Sequence, residues 1–242
     1  MRLRLIRHAT VLLSTGGKTI LVDPMLDPAG ARPPVENTPN QRDNPLVELP
    51  EPAAVVVQGL DAIVVTHLHQ DHFDATAAAL LPKDVPLFCA PDDAETLRGY
   101  GFADVRPVDD RVEWEGMAIT RTAGVHGPLG PSPGFVIGSL YVAGDTVWCD
   151  EVRAALDEHR PAVVVVNASG ARFVEGGPLV MTVDDVVAVA RHAPDAHVIA
   201  VHLEAINHCL QTRADLHQRL HVDGLERRVT VPEDGALVPV QG

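Results

Sequence analysis

Residues 62–74 read AIVVTHLHQDHFD, an apolar run followed directly by three imidazoles and two carboxylates. An apolar run of this length reads as a buried strand, and a chain that forms it must deliver the next polar groups together at the strand end. Residues two apart on an extended chain point to the same side, so His67 and His69 leave the strand side by side, with Cα atoms about 6.5 Å apart. Imidazoles leaning inward from that spacing can share one cation at about 2.0–2.1 Å. Asp71 and His72 follow where the chain turns toward the next helix, and they can serve a neighbouring cation. For any single histidine, a polar turn or a core imidazole satisfied by backbone carbonyls is the commoner reading. For the spacing His-x-His-x-Asp-His it is the weaker one, because four clustered polar groups are hard to satisfy without an ion.

The chain around this segment alternates between strands and helices. RLRLI, TVLLS and KTILVDP read as consecutive antiparallel strands, the last two joined by a TGG turn whose glycines permit positive φ. Residues 23–52 are rich in Pro and Asn and predict a long irregular loop, of the kind that often forms a functional rim. DAIVVTH then predicts a strand, DATAAALLP a helix, VPLFCAP a strand and DDAETLRGYG a helix with an acidic start and a glycine stop. RVEWEGMAITRTAG and GFVIGSLYVAGD predict strand pairs. DEVRAALDEH, AVVVVNAS, VDDVVAVARH and HVIAVH predict alternating helices and strands. A helix from about Leu203 to Leu220 follows, and RRVTV and GALVPV close the chain as strands. This order implies sheets covered by helices in a layered α/β arrangement.

With 242 residues, of which 46% are hydrophobic and 21% charged, the chain is expected to form one domain over residues 1–242 with a sizeable core. A net charge of −14 opposes broad attraction to nucleic acid or anionic lipid, so a small-molecule substrate is the expected partner. No apolar run is long enough to span a bilayer, and His8 and Thr10 interrupt the basic, apolar start before a cleavage site could form. A cytoplasmic location is therefore expected. Cys89, Cys149 and Cys209 are scattered singly and read as small buried hydrophobes rather than as a zinc ribbon or a redox pair.

The histidine cluster resembles the signature of the metallo-β-lactamase superfamily, and the similarity runs over nearly the whole chain. TAGVHGP supplies His126 as the third histidine of that family, YVAGDTVW supplies Asp145 in the Gly-Asp pair, and VIAVHLEAINH supplies His202 as the histidine closing a late strand. The resemblance implies a four-layer αββα sandwich with two divalent metal ions at one edge. His67, His69 and His126 would hold one ion, Asp71, His72 and His202 the other, and Asp145 would span both. Asp23 matches an aspartate beneath the metal loop that orients ligands, although a polar strand end before proline accounts for it equally. RHATVLLSTGGKTILVDP and GFVIGSLYVAGDT are most similar to the branch containing ascorbate-6-phosphate lactonase. His8 matches a histidine that approaches the pocket there, and an ordinary strand histidine is the alternative. Asn167 either lines the pocket or ends its strand, Thr182 and Asp185 read as a helix cap, and His159, His192, His197, His217 and His221 read as solvated.

Departures from the family pattern narrow the chemistry. Drug-hydrolysing members usually carry cysteine where Asp145 stands, and flavodiiron reductases typically carry glutamate where His69 stands. Thioesterases of the glyoxalase II type have a His-Thr-x-Gly context that VHGPLG lacks, and RNA-cleaving members add a domain for which this chain has no room. The resemblance thus implies a binuclear metal-dependent hydrolase that uses a metal-bridging hydroxide on a small ester-type substrate, a lactone or a phosphate ester. Zinc is the default for so many imidazoles, with manganese or iron as alternatives. Asp71 is the candidate proton acceptor. His208 is the candidate substrate or proton-transfer contact, unless it merely pairs with Glu204 on a shared helix face. A metal-bound sensor or scaffold without turnover is the alternative from a different class.

Overall fold

The computed structural model of the chain describes residues 1–239. Six strands in succession build the first sheet: β1 (Arg2–Arg7), β2 (Thr10–Thr15), β3 (Lys18–Val22), β4 (Ala62–Val65), β5 (Leu87–Cys89) and β6 (Val105–Pro107). The next seven build the second: β7 (Arg111–Trp114), β8 (Met117–Thr122), β9 (Gly134–Ile137), β10 (Leu140–Val142), β11 (Val163–Asn167), β12 (His197–Val201) and β13 (Val229–Thr230). A last strand, β14 (Leu237–Pro239), returns to pair antiparallel with β1, so each sheet has seven strands. The final residue of the predicted strand GALVPV, Val240, lies outside the described residues.

Side-chain alternation explains the layering. In β4, Ala62 and Val64 face the space between the sheets while Ile63 and Val65 face outward. In β11, Val163 and Val165 face inward and Val164 and Val166 outward. Strands buried on both faces need covering on both faces, and helices supply it. Helices α1 (Ala53–Val56), α2 (Ala75–Leu80) and α3 (Ala94–Gly99) pack on the outer face of the first sheet, through Val56, Ala77 and Leu97. Helices α4 (Asp150–His159), α5 (Val183–His192) and α6 (Arg213–Asp223) pack on the second, through Leu156, Val186 and Leu216. The result is the αββα sandwich expected from the sequence. Among the described residues, no helix is long and apolar enough to cross a membrane.

One predicted element is corrected. The helix expected from Leu203 to Leu220 begins only at Arg213, where Thr212 and Asp215 form a reciprocal capping box. Residues 202–211 form an irregular segment instead, with both His202 and Glu204 at positive φ. Glu204 does not pair with His208. Its carboxylate accepts from the backbone N–H and guanidinium of Arg213, at 2.8 and 2.6 Å.

Candidate metal centre

β3 runs parallel to β4, and β10, β11 and β12 run parallel to one another, so each set of strands ends together. Asp23 follows β3, His67 follows β4, Asp145 follows β10, Asn167 ends β11 and His202 follows β12. The turn between β1 and β2 adds His8, and the connection from β8 to β9 adds His126. Gly144 allows Asp145 to enter the site: its φ is +69°, and a Cβ there would sit 2.6 Å from the carbonyl oxygen of Pro133.

Two groups of donors result. His67, His69, His126 and Asp145 each offer an atom within 4.8 Å of the others, and so do His8, Asp71, His72 and His202. Asp145 faces both groups with different oxygens. Its Oδ2 lies 3.4 Å from His126 Nε2 and 3.8 Å from His67 Nε2, while its Oδ1 lies 3.2 Å from His72 Nε2 and 3.4 Å from His202 Nε2. Asp145 is almost fully buried and is held by Asn167, whose side-chain amide donates to Oδ1 at 2.6 Å.

In four of the imidazoles, His67, His72, His126 and His202, the far nitrogen has a partner that fixes where the near one points. His126 donates from Nδ1 to the carbonyl of Leu179 at 2.8 Å, and His72 donates from Nδ1 to Asp23 Oδ2 at the same distance. Thr66 Oγ1 lies 3.1 Å from His67 Nδ1, and Ser169 Oγ lies 3.1 Å from His202 Nδ1. Metal-binding histidines are oriented by partners of this kind. The buried Nε2 atoms of His72 and His202 make no hydrogen bond, although carboxylate oxygens stand within 3.2–3.5 Å of them. In the outer group His67 Nε2 and His69 Nδ1 lie 2.9 Å apart, close enough to share one ion, and two carboxylates among six imidazoles suit zinc, manganese or iron.

The electrostatics agree with that donor set. Burial alone would discharge His202, but Asp145, Cys209 and Asp71 outweigh it and push its pKa up to about 10. Burial likewise opposes charge on His72, yet Asp145, Asp23 and Asp71 hold its pKa well above the ordinary value. Burial would raise the Asp71 carboxyl, and His72, His202 and His8 instead hold it well below the usual range. Asp145 is held low by His72, His202 and His67 against the same burial. Two ionised carboxylates in a water-poor pocket attract positive charge, from protons or from metal.

A cavity of about 400 Å³ opens onto this centre. Its floor includes His69, Asp71, His126, Asp145 and His208, and its walls are mainly apolar, from Pro33, Pro34, Val35, Phe173, Leu179 and Ile206, with Arg32, Asn44 and Gln70 as the polar exceptions. The wall at residues 33–35 belongs to the long loop predicted as a rim. Asn207 latches that loop: its Oδ1 accepts from Val35 N–H at 2.9 Å and Asn44 Nδ2 at 2.7 Å, and its Nδ2 donates to Thr38 Oγ1 and Asn40 O at 2.7 and 2.6 Å. Removing so many buried hydrogen bonds costs about 2–3 kcal/mol. Asn207→Ala is therefore expected to loosen residues 33–44 and expose them to limited proteolysis while α4 and α5 stay protected. Unchanged protection of the rim would refute the latch.

The seven residues read as metal ligands, His67, His69, Asp71, His72, His126, Asp145 and His202, thus lie together, and Asp23 accepts from His72, in line with the first of the two readings open for it. His208 lies beside them on the irregular segment, with Nε2 3.9 Å from Asp71 Oδ2, rather than on a helix. Asn167 both ends a strand and holds Asp145. The sequence gives no local signal for that pairing across 22 positions, and His8, which the resemblance placed near the pocket with an ordinary strand histidine as the alternative, stands among the candidate ligands. Cys89 is buried as expected, whereas Cys149 and Cys209 are half-buried, and Cys209 Sγ lies 3.6 Å from His202 Nδ1.

Fold and site together define a class: an αββα sandwich that gathers two histidine–carboxylate groups at one edge of its sheets. The model of the Beta-lactamase superfamily domain matches residues 18–203. The UPF0173 protein YddR of Bacillus subtilis is 36% identical over 97% of this chain and 98% of its own length. A UPF0173 metal-dependent hydrolase, SSO0099 of Saccharolobus solfataricus, is 27% identical over 70% of this chain and 72% of its own. Among solved structures, an isothiocyanate hydrolase from Delia radicum gut bacteria superposes with a TM-score of 0.94 at 33% identity, covering 99% of both chains. A possible metal-dependent hydrolase from Veillonella parvula gives 0.93 at 32%, covering 98% of both. The chain belongs to the metallo-β-lactamase superfamily.

Proposed function

We propose that this chain is a metal-dependent hydrolase with a two-cation centre, acting on the electrophilic carbon of a small, uncharged substrate. One observation carries the reading: Asp145 turns one oxygen to each donor group at the foot of an apolar cavity. Divalent cations bring Lewis acidity and a lowered water pKa to such a site. Zinc is the first choice of metal, with manganese and iron as alternatives.

The residues around the centre then divide the work. Asp71, ionised and reachable from the cavity, is placed to accept a proton from water. His208 has a buried Nδ1 without a partner, and burial lowers its pKa to about 4, so at neutral pH it is an uncharged imidazole on the cavity floor. In that state it can donate one hydrogen bond to substrate and accept another. The apolar walls favour a neutral molecule over a phosphate ester. The guanidinium on the wall, Arg32, already has Nε 2.9 Å from Asp27 Oδ2, and the net charge of −14 repels anions.

A lactone fits these requirements, as the lactonase-like branch suggests. An isothiocyanate fits them as well, with its neutral electrophilic carbon and apolar substituent, and the 33% identity to an isothiocyanate hydrolase supports testing it first. Metal-reconstituted protein should turn over an aryl or alkyl isothiocyanate or a lactone, and a phosphodiester much more slowly. Metal binding without turnover across isothiocyanates, lactones, thioesters and phosphodiesters would overturn the hydrolase reading in favour of a sensor or scaffold.

His202 and His208 separate binding from turnover. His202, fully buried and fixed by β12, is expected to be a ligand, so His202→Ala should lose about one metal equivalent and most activity. His208→Ala should keep both metals and change turnover or substrate preference. Elemental analysis of the two variants in parallel checks this, and metal loss confined to His208→Ala would reverse the assignment.

A further inference from the structure

His8 stands among the ligands without belonging to the histidine motif. It is fully buried in the turn between β1 and β2, and its backbone has φ +60°, a left-handed conformation that non-glycine residues rarely adopt. Its Nε2 lies 3.3 Å from Asp71 Oδ2, and its ring centroid is 3.6 Å from that of His202. Its Nδ1 has no partner. Its carbonyl accepts the backbone N–H of His202 at 2.9 Å, which ties this turn of the first sheet to a strand end of the second.

We propose that His8 is a protein ligand of the buried cation, so that this cation is enclosed by protein donors and substrate meets the cation of the outer group. The inference rests on the two-cation reading above. Three observations support it. The donor atoms of His8, Asp71, His72 and His202 lie within 4.8 Å of one another, the same compactness as in the outer group. His8, His72 and His202 are each fully buried, and none borders the cavity, which reaches the inner group only through Asp71 and the shared Asp145. A cation held there has little access to water or substrate, and a closed coordination shell requires the protein to complete it, as structural sites do.

The third observation is energetic. A single hydrogen bond to Asp71 contributes about 1–3 kcal/mol at most. That does not offset an imidazole buried with an orphaned nitrogen on a strained backbone, where each feature costs about 1–3 kcal/mol. Ligation of a cation does, because apparent binding free energies at such sites reach about 10 kcal/mol or more. The outer group is built differently: His69 is exposed and both His69 and His126 border the cavity, leaving that cation open to substrate.

The test uses the full-length protein, labelled with ¹⁵N-histidine and loaded with ¹¹³Cd(II), with cadmium coupling read at each imidazole by NMR. Coupling at His8 as well as at His67, His69, His72, His126 and His202 is the expected result. Two bound ions with coupling at the other five rings and none at His8 would overturn the inference and leave the two-cation reading intact. A single bound ion coupled only to His67, His69 and His126 would overturn both. His8→Gln provides a second measure, since it keeps an N–H that can face Asp71 but removes the imidazole. Its apoprotein is compared with wild type by circular dichroism, and one of its two cations should then bind about 100-fold more weakly or worse. Wild-type retention of both cations in His8→Gln would show that His8 only positions Asp71.

Discussion

Asp145→Ala should abolish turnover and weaken both cations, while far-UV circular dichroism stays close to wild type. The size of the effect follows from position. Asp145 is the carboxylate that both donor groups share, and its removal would leave His67, His126, His72 and His202 converging on a space without the charge that would balance a cation there. Asn167 would lose its acceptor at the same time. The apoprotein should keep its fold but lose stability, because the buried Asn167 amide and the His72 and His202 imidazoles lose the carboxylate that pairs with them. Metal analysis after dialysis, together with the activity panel, checks this. Retention of two cations by Asp145→Ala would remove the shared ligand from the centre and the two-cation reading with it.

Asp23→Ala should instead strike at folding. Asp23 is almost fully buried at the end of β3, with φ +46°, and accepts three hydrogen bonds: from Thr66 N–H at 2.7 Å, Thr66 Oγ1 at 2.7 Å and His72 Nδ1 at 2.8 Å. Alanine would leave these buried donors unpaired and keep a side chain in a left-handed conformation. A loss of about 3–5 kcal/mol is expected. Asp23→Asn, which tolerates that conformation and keeps one acceptor, should lose less. Urea unfolding of the apoproteins measures both. Stability of Asp23→Ala within about 1 kcal/mol of wild type, against the expected range, would mean that this triad of bonds does not hold the metal loop.

These two residues also show how far reading along the chain extends. Asp23 stands in LVDP, and its role beneath the metal loop was one of two readings open from the sequence; the 43-residue separation from Thr66 is closed by the parallel pairing of β3 with β4. His67, His69, Asp71 and His72 were legible because strand periodicity and a short turn place them with no help from the rest of the chain. Thr182 and Asp185 were legible as a cap for the same reason, and the reciprocal pair forms. An equivalent signal at Thr212 and Asp215 marks the true start of α6, and the apolar residues scattered through 203–210 obscured it. Those residues are held out of helix by long-range partners, above all by Asn207 bonding to the rim loop 163–172 positions away.

By itself, then, the sequence determined the layered α/β architecture and the strand-end histidine motif, since both rest on periodicity or on spacing within a few residues; the order of the further candidate ligands came from the family resemblance. Tertiary structure alone decided how the donors divide. The meeting of β10, β11 and β12 ends turned Asp145 between two groups and set Asn167 against it. The crossing of the two sheets brought His8 from the first turn of the chain to within ring contact of His202. The physical reason is the same in each case: which side chains meet across a sandwich depends on strand pairing and on the facing of two sheets, and pairings between distant segments leave no periodic trace in either segment.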